Sequence, residues 1–196
     1  SSFRTDRGVL ATLSGFCSQP TMSVMKYPQK ASRLPSIAHS LKECGYATAY
    51  VHGGDLNFTN MSGYLYATGF DKLVAYKDLQ FDAPTSKWGY ADDVLADYFV
   101  DHVDNLGGQG APYFTVWQTL SSHEPFDVPY ARLEEKIPNA FAYTDHSVAC
   151  MVDSLRRLPQ WDNLLVVMLP DHGYLYRQGY DDPGFFRAPM LWMGGA

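Results

Sequence analysis

The pattern of apolar and polar positions changes period several times along the chain, and in one place it has no period at all. Leu164 to Leu169 are six consecutive apolar residues, closed by Pro170 and followed by Asp171-His172-Gly173. An uninterrupted run of that length between turn residues predicts a strand buried on both faces of a parallel sheet. Elsewhere the spacing is helical. Val9, Leu10, Leu13 and Phe16 predict a helix that starts at Thr5 or Asp6 and runs towards Gly15. Further helices are expected over 36–43, 59–68, 90–106 and 140–158. In the fourth of these five, Val94, Leu95, Tyr98, Phe99, His102 and Val103 form the inner stripe. Shorter β-rich runs predict strands over 46–51, 72–76, 113–120 and 189–193. Strands alternating with helices predict an α/β domain, a mainly parallel sheet with helices on both faces. No repeat, low-complexity tract or linker divides residues 1–196, so a single domain is expected.

Composition narrows the function classes. A hydrophobic fraction of 46% and an aromatic fraction of 15% describe a chain that can bury a core. A net charge of −6 leaves no basic footprint for nucleic acid or for an anionic membrane surface as primary partner. Cys17, Cys44 and Cys150 lie far apart with no metal-type spacing, and are expected to be small buried hydrophobes. No apolar run is long enough to span a membrane. The chain opens abruptly on Ser1-Ser2-Phe3-Arg4, which reads as the inside of a domain, so an N-terminally truncated domain is expected.

Three stretches carry the polar groups that chemistry would need: Arg4-Thr5-Asp6-Arg7, Ser122-His123-Glu124 and Asp171-His172. In a parallel α/β sheet, strand C-termini and helix N-termini share one edge, where ligands bind. A hydroxyl at a helix N-terminus suits attack on an anionic group, because the backbone N–H groups and the helix dipole there favour negative charge. A bare threonine hydroxyl is a weak nucleophile and needs a base or a cation. Asp171 and His172 are a hard oxygen and an imidazole that can hold one. Arg4 and Arg7 offer forked donors to non-bridging oxygens, and His123 can orient the same group or protonate a leaving oxygen. Each has a plainer reading. Thr5 suits an ordinary N-cap, Arg4 and Arg7 solvated surface charges, and His123 a turn. His39, His102 and His146 suit packing or surface positions. His52 directly follows a strand and suits either the shared edge or a tight turn with Gly53-Gly54. Trp88, Trp117, Trp161 and Trp192 are expected in the core or a pocket wall.

The order of motifs adds to this. Arg-Thr-Asp-Arg-Gly (4–8), Lys-Trp-Gly (87–89), Leu-Ser-Ser-His-Glu-Pro-Phe (120–126), Tyr-Thr-Asp (143–145), Trp-Asp-Asn (161–163) and Pro-Asp-His-Gly (170–173) resemble the sulfatase-like branch of the alkaline phosphatase superfamily. Within it, the chain is most similar to the lipoteichoic-acid synthase (phosphoglycerol transferase) group of bacterial enzymes. The resemblance covers nearly the whole chain and implies an alkaline phosphatase-like fold. It implies that Thr5 is a nucleophile that also ligates one divalent cation, typically Mn2+, with Mg2+ or Zn2+ as alternatives. Asp171 and His172 match two further ligands, and His123 matches a contact to the substrate headgroup. Arg4 fits the basic place before the nucleophile. The family's fourth ligand, an acidic residue, comes from a strand upstream of the nucleophile and is expected before Ser1. The stretch on its own is therefore expected to hold metal weakly and to be inactive. Where the lipoteichoic-acid synthases carry a Trp and an Arg for glycerol phosphate, Phe58, Thr59 and Asn60 stand here, so another headgroup is admissible.

The function expected is a metal-dependent phosphotransferase or phosphodiesterase acting on a phospholipid headgroup or cell-envelope phosphoester. It would work outside the cytoplasm, on the outer face of a bacterial inner membrane, within a membrane-anchored full-length protein. The alternatives are a sulfatase-like ester hydrolase and a catalytically silent ligand-binding domain. Thr5 cannot become the formylglycine that true sulfatases make from Cys or Ser.

Overall fold

The computed structural model describes residues 3–177, 179 and 181–196. Six α-helices are seen: α1 (Thr5–Ser14), α2 (Pro28–Ala31), α3 (Ile37–Glu43), α4 (Met61–Ala67), α5 (Asp92–Gly107) and α6 (Lys136–Leu155). Five strands are seen: β1 (Ala47–His52), β2 (Lys72–Val74), β3 (Tyr113–Gln118), β4 (Leu165–Met168) and β5 (Leu191–Gly194). β1 lies between β2 and β3 and pairs parallel with both, Val51 standing opposite Val74 on one side and Trp117 on the other. β4 and β5 form a separate antiparallel pair, with Val167 opposite Trp192.

Successive side chains of a strand point to opposite faces, and β1 shows what that does here. Tyr50 joins a core with Val9, Leu10 and Leu13 of α1, Ala38 of α3 and Leu65 of α4. Its neighbour Val51 joins the opposite core, with Leu95, Phe99 and Val103 of α5 and Met151, Val152 and Leu155 of α6. Helices therefore cover both faces, as the alternation of elements predicts. Each fully buried side chain of this size contributes about 1.5–3 kcal/mol, so the two cores hold β1 from either side.

Five expectations are corrected. The strand buried on both faces is β1, whose residues Thr48 to His52 are all buried; β4 is not. Leu165 and Val167 are 55% and 39% exposed, while Val166 packs against the α5–α6 core. The unbroken apolar run records the chemistry of both faces of β4, and its hydrogen-bonded partner is antiparallel. The helix expected over 59–68 begins only at Met61, because Thr59 and Asn60 take positive φ (53° and 64°). Both side chains there are drawn to Met25: the Thr59 hydroxyl donates to its Sδ, and Asn60 Nδ2 donates to its carbonyl. The three cysteines are exposed and free. Trp192 is 64% exposed and lies on the open side of β4–β5. α6 also starts a turn earlier than its apolar pattern, at Lys136. Pro138 is tolerated there, since the first helical N–H groups have no intrahelical partner to lose.

Candidate active site at the strand ends

The start of α1 lies beside the loop that follows β4. Arg4 is the N-cap in extended conformation, and its carbonyl accepts from the N–H groups of Arg7 and Gly8. Thr5 is the first helical residue, one position past the cap. Its Oγ1 lies 3.3 Å from Nε2 of His172. The capping reading of Thr5 is thereby set aside. Gly8, one turn on, brings the two segments together. A Cβ built there would stand 2.0 Å from the Asp171 carbonyl oxygen, so only glycine lets the helix lie against the Asp171 backbone.

The loop after β4 brings two polar side chains to the start of α1. His172 Nδ1 donates to the Gly173 carbonyl at 2.7 Å, which leaves the Nε2 lone pair facing Thr5. Asp171 Oδ1 accepts from the His172 N–H, and its Oδ2 lies 3.8 Å from Nε2. A hydroxyl, an imidazole nitrogen and a carboxylate oxygen thus converge. A histidine that gives its other N–H to a backbone carbonyl has the arrangement usual for metal-bound imidazole. The donor set suits Mn2+, Mg2+ or Zn2+. Among the described residues no third His, Cys, Asp or Glu stands with Asp171 and His172.

His123 lies in the turn after β3, exposed, and its Nδ1 donates to the Glu124 carbonyl. Its turn is held by Asp92, the first residue of α5. Asp92 Oδ1 accepts from the Leu120 N–H, and Oδ2 accepts from the Ser121 N–H and the Thr144 hydroxyl. The Asp92 N–H donates to Ser121 Oγ in return. Burial pushes the Asp92 carboxyl upward, against the pull of these donors. The tie joins α5, α6 and the end of β3.

His52, which the sequence leaves between two readings, closes β1 at the same edge. It is 6% exposed, and its Nδ1 donates to the Gln118 carbonyl of β3. Burial lowers its pKa, while Asp171 and Asp55 raise it and His123 lowers it further. Burial therefore favours its neutral form, within the field of both Asp171 and His123. Arg7 is buried and turned away from this edge: its Nη1 donates to the Pro20 carbonyl, and its guanidinium lies over the Phe3 ring. Those contacts are with the protein's own backbone and core. Arg4 is exposed beside Thr5. Asp92, Trp88, whose indole N–H donates to the Glu124 carbonyl, and Tyr174, whose hydroxyl donates to the Glu124 carboxylate, support the site in a role that sequence patterns do not single out. Only the Lys-Trp-Gly motif points at one of them.

The sulfatase family model matches residues 1–193. The chain belongs to the sulfatase family. It is 29% identical over 148 residues to a phosphoglycerol transferase I of Xanthomonas axonopodis pv. citri, a match that covers 67% of this chain and 21% of that one. A Vibrio parahaemolyticus protein of the alkaline phosphatase superfamily superposes with a TM-score of 0.88 at 28% identity, over 98% of this chain and 49% of that one. The lipoteichoic acid synthase LtaP of Listeria monocytogenes superposes with a TM-score of 0.84 at 20% identity, over 98% and 53%. The fold is that of the alkaline phosphatase superfamily, as the motif order implies. The chain spans about a fifth of that curated relative and about half of the two solved ones.

Proposed function

We propose that these residues belong to a metal-dependent phosphoryl transferase that uses Thr5 as nucleophile on a phospholipid headgroup or cell-envelope phosphoester, outside the cytoplasm. The observation that carries the reading is the aim of Thr5. Its hydroxyl sits at a helix N-terminus, in the first helical position, and turns to His172 Nε2, which itself lies beside Asp171. Kinship to a phosphoglycerol transferase supports the phosphoester class. Among the described residues no helix is long and apolar enough to cross a membrane.

Thr5 Oγ1, Asp171 and His172 Nε2 would hold one divalent cation, Mn2+ being the first choice, together with an acidic residue from outside this stretch. When bound, it supplies Lewis-acid stabilisation of the phosphoryl oxygens and a lower pKa for the threonine hydroxyl. The α1 N-terminus adds backbone N–H groups towards the anionic group being transferred. Thr5 Oγ1 gives its proton to solvent and bonds to phosphorus, the bond from phosphorus to the leaving alcohol breaks, and His123 takes a proton from solvent on Nε2 and passes it to that oxygen. Water or an acceptor hydroxyl then releases the phosphothreonine. The headgroup is left open by Phe58, Thr59 and Asn60.

Hydrolysis of bis-(p-nitrophenyl) phosphate with Mn2+ tests the reading in the full-length protein. Thr5→Ala is expected to lose at least about a thousandfold in kcat, as removal of a covalent nucleophile does, and chelation should abolish activity. Full activity in Thr5→Ala would remove the nucleophile assignment. Preference for a sulfate ester would move the enzyme to the ester-hydrolase alternative.

A further inference from the structure

Glu124, beside His123, is a meeting point for contacts from all three strand ends. Its backbone carbonyl accepts from His123 Nδ1 and from the indole Nε1–H of Trp88, 36 residues away in sequence. The Trp88 and His123 rings also meet edge to face, with centroids 5.0 Å apart and planes at 68°. From the other side, the Tyr174 hydroxyl donates to the Glu124 carboxylate, which ties in the loop after β4.

Trp88 is itself fastened to the end of β1. Gly54 and Gly89 form an isolated β-bridge, and the Tyr90 N–H donates to the Gly53 carbonyl. Gly89 has φ 144°, and a Cβ there would stand 2.0 Å from the Gly53 oxygen, so the turn can close down on β1 only with glycine at that place. The Ser86 hydroxyl completes the turn, accepting from the Trp88 N–H and donating to the Gly89 carbonyl. Lys87 Nζ lies over the indole at 4.9 Å, on a ring that is 39% exposed.

The consequence concerns one proton. A carbonyl oxygen can only accept, so the contact with Glu124 requires hydrogen on His123 Nδ1 and leaves Nε2 to face the site. The Glu124 carbonyl can keep that orientation only if it is itself held, and the indole N–H is the distant group that holds it. We propose that Trp88 is a positioning residue that selects the tautomer of His123 and aims its Nε2. The step it serves rests on the phosphoryl-transfer reading above; the tautomer does not.

Long-range proton–nitrogen spectra of the full-length protein, 15N-labelled at histidine, test the tautomer, with the His123 signals identified by their loss in His123→Ala. The unsubstituted protein is expected to show the Nδ1–H form; an Nε2–H form overturns the proposal, whatever any variant does. Trp88→Phe keeps a ring against His123 and removes the donor. It is expected to mix the tautomers and to lower kcat on bis-(p-nitrophenyl) phosphate about tenfold, part of what a general acid supplies, with KM within about twofold. In a His123→Ala background the same change should cost nothing more. An unchanged spectrum in Trp88→Phe, or losses that multiply in the double variant, would overturn it. Full activity in His123→Ala alone would instead remove His123 from the proposed reaction, while the spectra still decide what Trp88 does.

Discussion

At Gly8, two physical effects pull a substitution in opposite directions. Alanine is better than glycine inside a helix by about 1 kcal/mol, so the local sequence alone favours Gly8→Ala. The added Cβ, however, would stand 2.0 Å from the Asp171 carbonyl oxygen, a contact with backbone that no rotamer relieves. Overpacking of this kind costs about 1–3 kcal/mol, and here it falls between α1 and the Asp171-His172 loop. Gly8→Ala is expected to lower the urea midpoint and to cut activity well beyond its stability cost. A variant that is more stable and fully active would show that α1 and Asp171 are not in contact. At this scale the residue types of Thr5, Asp171 and His172 are open to sequence reasoning, since each ends or starts a readable element. The role of Gly8 is not, because the atom it makes room for is 163 positions away. Arg7 shows the reverse: a forked donor two residues from Thr5 reads as a substrate contact, yet it is buried against Phe3 and Pro20.

Among elements, the join of α5 to the turn after β3 depends on one carboxylate. Asp92 is 1% exposed and accepts three hydrogen bonds through its two oxygens. Asp92→Ala leaves two backbone N–H groups and a threonine hydroxyl without that partner, and should destabilise by about 2–4 kcal/mol. Asp92→Asn keeps an acceptor for one side and should cost less than half as much. Chemical denaturation of both variants checks the order; equal losses would mean that the charge, and not the geometry, matters. Helical periodicity located α5 and α6 well, because each buries one stripe against one core. It failed at Thr59-Asn60, where contacts to Met25 hold a left-handed corner, and it placed the start of α6 late because its first turn faces no core. The apolar run of β4 marks a strand, but one open on one side and paired antiparallel, not one buried on both faces of a parallel sheet. Apolar side chains on alternate positions say what a face is made of, not whether anything lies upon it.

For the whole molecule, the outer side of β4–β5 is the feature with the largest physical consequence. Leu165, Val167 and Trp192 share that side through the pairing of Val167 with Trp192, and Met190 precedes it, 53% exposed. A contiguous apolar face promotes association in water. The 196-residue stretch produced alone is therefore expected to self-associate, and Leu165→Ser with Trp192→Ser to reduce this, as light scattering would show. Equal association of parent and variant would place the sticky surface elsewhere. The chain by itself determined the class of fold, the alternation of helices and strands, and the chemistry of the strand-end residues, because local periodicity and turn residues act over a few positions. Its motif order determined the family. Tertiary structure alone decided which strand is enclosed on both faces, that Thr5 turns to His172 167 residues away, and that Trp88 reaches the Glu124 carbonyl. Those outcomes depend on close approach between segments distant in sequence, made possible by glycines at 8 and 89. Local pattern holds no record of the atoms that such glycines admit.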